Sequence, residues 1–153
     1  MRITDILTSN SIVTDLLVKD KSELLNVMID LAVQTGRVKN RDEVKSEILQ
    51  RESIMSTGIG KEIALPHAKS NAITDTVAAL AILKNPVDYG SLDGDPVSIV
   101  FLLVGLENNV GIHLRLLSKI SRLLSKDDFR DELKSCKTVD QVIQLFNNND
   151  NND

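Results

Sequence analysis

A sheet covered on both faces by helices, and so an α/β domain, follows from three features of the 153-residue chain. Thr76-Val-Ala-Ala-Leu-Ala-Ile-Leu83 and Val97 to Val104 are nearly continuous apolar runs, the mark of strands buried on both faces. Four or five other segments repeat apolar residues at helical spacing, which supplies the covering layers. No internal repeat or interdomain linker divides the chain, and its length suits one domain with its own core.

Each element has its own signal. Residues 3 to 18 alternate short apolar pieces with polar turns and read as a helical turn followed by one strand. Asp20 with Glu23 forms a capped start. Leu24, Leu25, Met28, Leu31 and Ala32 then mark a helix to about Gln34, stopped by Gly36. Asn40, with Glu43 three residues on, caps a second helix striped by Val44, Ile48 and Leu49 and ending near Arg51 or Glu52. Thr76 to Leu83 is a buried strand, although its alanines would also suit a helix, and Asn85-Pro86 should break it. Leu92-Asp-Gly-Asp-Pro96 is a turn. Val97 to Val104 is the second buried strand, ended by Gly105. Asn108 to Gly111 is a loop before a long amphipathic helix carrying Ile112, Leu114 to Leu117, Ile120 and Leu123-Leu124. Asp127-Asp128 opens a short helix with Phe129 and Leu133, and Thr138 caps a last one with Val139, Val142, Ile143 and Leu145-Phe146. The domain is expected over residues 1–147, with residues 148–153 a polar, frayed tail.

Composition narrows the function. A formal net charge of -4 argues against nucleic acid as partner, which asks for a basic surface. No apolar stretch is long enough for a membrane span, and Met-Arg-Ile-Thr-Asp-Ile-Leu lacks the core of a signal peptide. The one cysteine, Cys136, fits a reducing cytoplasm and reads as structural. No Cys/His/Asp set has zinc spacing, and no Walker-type glycine motif occurs, so neither metal nor nucleotide cofactor is expected.

The chemistry concentrates between Arg51 and His67. Pro66 fixes its own φ and pushes Leu65 toward extended backbone, which presents His67 at the lip of a strand. Gly58 and Gly60 allow positive φ and leave N–H groups uncovered, a backbone suited to an anion. Imidazole is largely neutral near pH 7 and is a good nucleophile toward phosphorus. His67 is therefore either a nucleophilic or proton-transferring histidine beside an anion site, or an ordinary surface histidine after a turn. His113 is the only other histidine. At a helix start it would sit among free N–H groups and partial positive charge. Arg51 is either a bidentate clamp on phosphate oxygens or a cation facing its own helix dipole. Ser56 or Thr57 offers a hydroxyl, and Lys69 is less specific. A two-histidine acid–base enzyme would need base-recognition groups, and Tyr89 is the lone aromatic nearby.

Ser56-Thr-Gly-Ile-Gly-Lys-Glu-Ile-Ala-Leu-Pro-His67-Ala68 resembles the phosphorylation-site motif of the mannitol/fructose-type enzyme IIA domains of the bacterial sugar phosphotransferase system. The nitrogen-related enzyme IIA proteins of that family are equally similar. Arg51-Glu52 precedes the motif at the family spacing. Leu92-Asp-Gly-Asp-Pro-Val97, the run Ile99 to Val104 and His113-Leu114 follow in family order, so the likeness covers about Ile3 to Phe146. It implies a three-layer α/β/α fold with a mixed central sheet. It also implies a phosphotransferase in which His67 takes a phosphoryl group from the histidine phosphocarrier protein and passes it to a cysteine of enzyme IIB, for uptake of fructose/mannitol-type sugars. The alternative is a regulatory protein whose His67 phosphorylation switches binding to partner proteins. The resemblance makes His113 an anion stabiliser and favours the clamp for Arg51. Gly58, Gly60 and Thr57 join them as candidate phosphate-holding positions. The chain departs from the pattern at Glu62, where many members carry Gly. A carboxylate there must point away from a phosphate or pair with Lys61, Lys69 or Arg51.

Overall fold

A computed structural model describes residues 1–150. The chain runs through α1 (Ile3–Ile6), a 3-10 turn (Ser9–Ser11), β1 (Ile12–Leu16), α2 (Lys21–Val33) and α3 (Arg41–Ile54). It continues through β2 (Gly58–Gly60), β3 (Ile63–Ala64), β4 (His67–Ser70), β5 (Val77–Val87) and β6 (Val97–Leu106), and closes with α4 (Val110–Leu124), α5 (Asp127–Ser135) and α6 (Val139–Asn149).

The six strands form one mixed sheet in the order β1-β5-β6-β3-β2, with β4 also paired to β6. β5 and β6 are antiparallel, whereas β1 on β5, and β3 and β4 on β6, are parallel. Alternate residues of the two apolar strands feed two separate cores, as the two-residue period of a strand demands. Ala78, Leu80, Ile82, Ile99, Phe101 and Leu103 pack under α1, α4, α5 and α6. Ala79, Ala81, Leu83, Val100, Leu102 and Val104 pack under α2 and α3. This is the expected three-layer arrangement.

The caps read from sequence are in place. Asp20 accepts from the Glu23 N–H at 2.8 Å, Asn40 from the Glu43 N–H at 3.1 Å, and Thr138 forms a reciprocal capping box with Gln141.

Several boundaries differ, each for a physical reason. Asn85-Pro86 does not end β5. The strand continues to Val87 across a register shift, with Lys84, Asn85 and Pro86 exposed, where a missing N–H costs little. Gly105 does not end β6 either, because it pairs with Lys69 of β4. α3 runs on to Ile54, and α4 already starts at Val110. The tail expected from residue 148 is shorter: α6 extends to Asn149, and the buried Asp150 carboxylate accepts from the Ile3 N–H at 2.6 Å and pairs with Lys119 at 2.5 Å. Residues 151–153, the remainder of that expectation, lie outside the described residues.

β3 and β4 follow one another along the same edge of β6, and Pro66 stands between them. Proline has no N–H to give the ladder, so what would be one strand is split, although the Pro66 carbonyl still accepts from the Leu103 N–H at 3.0 Å. His67 is the first residue after that break. None of the helices among the described residues is long and apolar enough to cross a membrane.

Candidate functional site

His67 opens β4 half-buried, as the Pro66 break implies. Its Nδ1 lies 2.8 Å from the Leu65 carbonyl oxygen. A carbonyl only accepts, so Nδ1 carries the hydrogen and the neutral ring keeps its free lone pair on Nε2. Burial holds the His67 pKa below the ordinary histidine value. The Leu65 carbonyl acts upward, Arg51 downward and Glu52 upward. The ring is therefore unprotonated at neutral pH, the form a nucleophile requires.

Around it lies an open groove of about 440 Å³. α3 contributes Glu47, Gln50, Arg51 and Ile54; β4 adds Lys69; α4 adds His113, Leu114 and Leu117. The two imidazole centroids are 6.0 Å apart. His113 sits in the first turn of α4 and is only 4% exposed. Burial first, then the neighbouring His67 and Lys69, push its pKa down to about 4. It is thus a neutral ring. Its Nδ1 is buried without a hydrogen-bond partner among the described residues. That nitrogen rests against the β6 backbone at Gly105, where a Cβ would come within 2.5 Å of it. Glycine at 105 therefore lets the imidazole lie flat on the strand.

Arg51 lines the groove from the last turn of α3, and its Nη1 donates to the Met55 carbonyl at 2.9 Å. The guanidinium thus closes its own helix end, and it remains within the electrostatic reach of His67. The groove's acids are engaged elsewhere. Glu47 accepts from the Ser70 hydroxyl at 2.6 Å, and Glu107 from the Asn71 amide at 2.5 Å. No group of three or more His, Cys, Asp or Glu among the described residues is arranged to hold a metal ion.

This geometry places the motif histidine, the helix-start histidine and the arginine in one groove. The sequence family described as "Phosphoenolpyruvate-dependent sugar phosphotransferase system, EIIA 2" matches residues 5–149. The chain belongs to this EIIA family. It is 36% identical over 150 residues to the fructose-specific EIIABC component of the PTS system of Bacillus subtilis, a match covering 98% of this chain and 24% of that protein. It thus spans about a quarter of that relative. A nitrogen regulatory protein of Bradyrhizobium diazoefficiens is 32% identical, with 95% of each chain covered. Among solved structures, the nitrogen regulatory protein IIA-Ntr from Neisseria meningitidis has a TM-score of 0.87 at 29% identity, covering 93% of this chain and 97% of that one. Enzyme IIA of the mannitol system from Escherichia coli, in complex with phosphorylated enzyme IIB, has a TM-score of 0.80 at 19% identity, with 94% and 99% covered.

Three expected site residues of this EIIA domain do not line the groove. Gly58 packs on Ser91, where a Cβ would meet Oγ at 2.3 Å, and its N–H donates to the Ser56 hydroxyl at 3.1 Å. Gly60, at φ +98, faces Asp93. Thr57 is buried, with its N–H and hydroxyl both turned to Glu52 at 2.8 and 2.5 Å. Glycine spacing signals a tight backbone, and here the close approach is to the Ser91–Asp93 turn.

Glu62 points away from the groove. Its carboxylate accepts from Ser98 Oγ at 2.8 Å and pairs with Lys134 of α5 at 2.8 Å, a partner outside the three sequence candidates. Lys134, then Ser98, hold its pKa below the usual carboxylate value. Glu62 has φ +69, which explains why glycine suits the position.

Sequence reasoning missed the role of Glu52 altogether. This carboxylate, 9% exposed, also accepts from the Tyr89 hydroxyl at 3.0 Å and from Lys21 at 3.0 Å, while the Lys21 ammonium stands 4.3 Å above the Tyr89 ring. Burial raises its pKa, but the Thr57 hydrogen bonds and Lys21 outweigh that and the net shift is downward. Lys21 and Tyr89 are too far from Glu52 in sequence for any spacing rule to have joined them.

Proposed function

We propose that this chain is a phosphoryl carrier of the sugar phosphotransferase system, with Nε2 of His67 as the phosphorylated atom. The observation that carries the reading is the 2.8 Å contact that fixes the Nδ1–H tautomer and leaves Nε2 free in a groove holding Arg51 and His113. The donor is the histidine phosphocarrier protein. As the Nε2–P bond forms, the N–P bond of the donor breaks, and the ring gains positive character that the Leu65 carbonyl meets through Nδ1–H. Arg51 balances the charge on the phosphoryl oxygens. His113, neutral, donates one hydrogen bond from Nε2–H, the tautomer that leaves its buried Nδ1 needing no acceptor. Phosphoryl transfer asks little more of a protein than such placement and charge. The second half-reaction moves the group to a cysteine of enzyme IIB. Support comes from the Escherichia coli enzyme IIA of this fold, which is described in complex with its phosphorylated enzyme IIB. The carrier works in the cytoplasm and serves a fructose/mannitol-type sugar.

A second reading is favoured by the nitrogen regulatory relatives, which match along nearly their whole length. In it the same phosphohistidine switches binding to a regulated protein. The two readings share one first test. Incubation with enzyme I, the phosphocarrier protein and phosphoenolpyruvate should add one acid-labile, base-stable phosphate, mapped to His67. Labelling that survives His67→Ala overturns both. Onward transfer to a fructose-type enzyme IIB then supports the transport role, and a phosphate-stable species that changes its affinity for a target protein supports the regulatory one.

A further inference from the structure

A continuous path of hydrogen bonds links the buried Glu52 to the ring of His67. The Thr57 N–H and hydroxyl donate to the Glu52 carboxylate at 2.8 and 2.5 Å. The Thr57 carbonyl accepts from the Leu65 N–H at 2.9 Å. The Leu65 carbonyl, 2.8 Å from Nδ1, sets the His67 tautomer. Glu52 is also the immediate neighbour of Arg51 in the last turn of α3, so one carboxylate anchors both the arginine's helix end and the peptide that orients the histidine. We propose that Glu52 is a positioning residue for His67: through Thr57 and Leu65 it fixes the imidazole, and its negative charge opposes that of Arg51 at the ring.

The carboxylate shape alone does not require a charge. A glutamine could accept from the Thr57 N–H and donate to the hydroxyls of Thr57 and Tyr89, which can rotate. The ionised form is kept first by the Thr57 hydrogen bonds and then by Lys21, which pairs with it at 3.0 Å. A fixed negative charge behind a histidine that carries a phosphoryl dianion has a definite consequence. It raises the phosphorylated state relative to the free one and eases onward transfer of the group. It also favours the protonated imidazole, in agreement with the upward influence of Glu52 on His67. The other charged groups facing His67 are Arg51 and Glu47 from α3, Lys69 from β4, Glu107 after β6 and the neutral His113 from α4. Among the acids, only Glu52 joins the His67 ring through this hydrogen-bonded chain.

The inference about phosphate rests on the carrier reading, so the test has one arm free of it. Glu52→Gln and Thr57→Val are compared with the natural chain by nitrogen NMR of the His67 ring across pH. In Glu52→Gln the His67 midpoint moves to lower pH, and in Thr57→Val, which removes the hydroxyl anchor and leaves the Thr57 peptide held to Glu52 by its N–H alone, the fraction of Nδ1–H tautomer falls. Unchanged midpoint and tautomer in both variants overturn the inference, whatever happens to stability. If Glu52→Gln does not fold, Thr57→Val alone decides through the tautomer. The second arm measures phosphoryl exchange with the phosphocarrier protein by phosphorus NMR. The equilibrium should shift toward phosphorylated Glu52→Gln by about threefold or more, since a charge removed from a partly buried site acts through a low effective dielectric. An equilibrium unmoved or shifted toward the donor removes the charge role. A natural chain that takes no phosphate at all removes the carrier reading, and the imidazole titration still decides whether Glu52 governs His67.

Discussion

Around Glu52 every polar atom finds a partner: the carboxylate meets a peptide N–H, two hydroxyls and an ammonium, and that ammonium also covers the Tyr89 ring. Around His67, a few residues along the same hydrogen-bonded path, the pairing is left incomplete. Nε2 of His67 faces open groove, Nδ1 of His113 is buried with nothing to bond among the described residues, and Arg51 uses one nitrogen on its own helix. Buried polar groups are normally satisfied because leaving them unpaired costs about 1–3 kcal/mol each. At His113 the molecule accepts that cost beside the groove. The contrast suits the division of labour that the proposed carrier role asks for: a closed network for rigidity, and an open one with donors and a lone pair for a visiting phosphoryl group.

The contrast breaks most severely at the closed end. Glu52→Ala strands Lys21 and the donors of Thr57 and Tyr89, and removal of one partner from a buried ionic network typically costs about 3–5 kcal/mol. For a chain of this size Tm should fall by on the order of 10 °C, measured by calorimetry. A shift of only a degree or two means that the network is not what holds the end of α3.

The open end should answer in rate and in pH dependence. His113→Ala should fold and should slow phosphoryl transfer about 10²-fold, the usual worth of one stabilising donor. It should also flatten the acid limb of the stability curve. The folded pKa of His113, about 4, lies below the 6.5 of a free histidine, so between those values the unfolded chain binds more protons. Stability from this group is complete above pH 6.5, and on the order of 3 kcal/mol is lost as pH falls toward 4. His67, also shifted downward, adds in the same direction. Denaturant titrations at several pH values should give shallower acid loss for His113→Ala than for the natural chain. Equal slopes in the two proteins mean that His113 is not buried neutral.

Arg51 gives the smallest expected effect and the sharpest distinction. Arg51→Lys keeps the cation near the Met55 carbonyl but loses the planar fork. Loss of one charge-assisted hydrogen bond to phosphate should slow transfer roughly tenfold, with Tm almost unchanged. A normal rate confines Arg51 to its helix end. A slow rate with a large drop in Tm makes its role structural.

The sheet and its covering helices were legible because the signals are local: two apolar runs, three good caps, and stripes at helical spacing. His67, His113 and Arg51 were legible as a group through the Pro-His motif and its neighbours. What escaped depends on distant parts of the chain. The tightness of Gly58 and Gly60 has its cause some thirty residues on, at Ser91 and Asp93. Glu62 finds Lys134 only because α5 folds back over the β2–β3 turn region. Glu52 looked like any acid at a helix end until Tyr89 and Lys21 closed on it. The strand break at Asn85-Pro86 failed for the opposite reason: a strong local signal was outvoted by an exposed, register-shifted stretch of β5 where the ladder tolerates proline.

The Asp150 carboxylate, joined to the Ile3 N–H and to Lys119, brings the first and last described turns of the chain to one corner. Polypeptide attached before residue 3 and polypeptide attached after residue 150 would leave this unit side by side. Such a module plugs into a longer chain as a side branch instead of a link in series, and none of the residues at that corner lines the groove of His67. Its neighbours in a larger protein could be exchanged while the phosphoryl chemistry stays as it is.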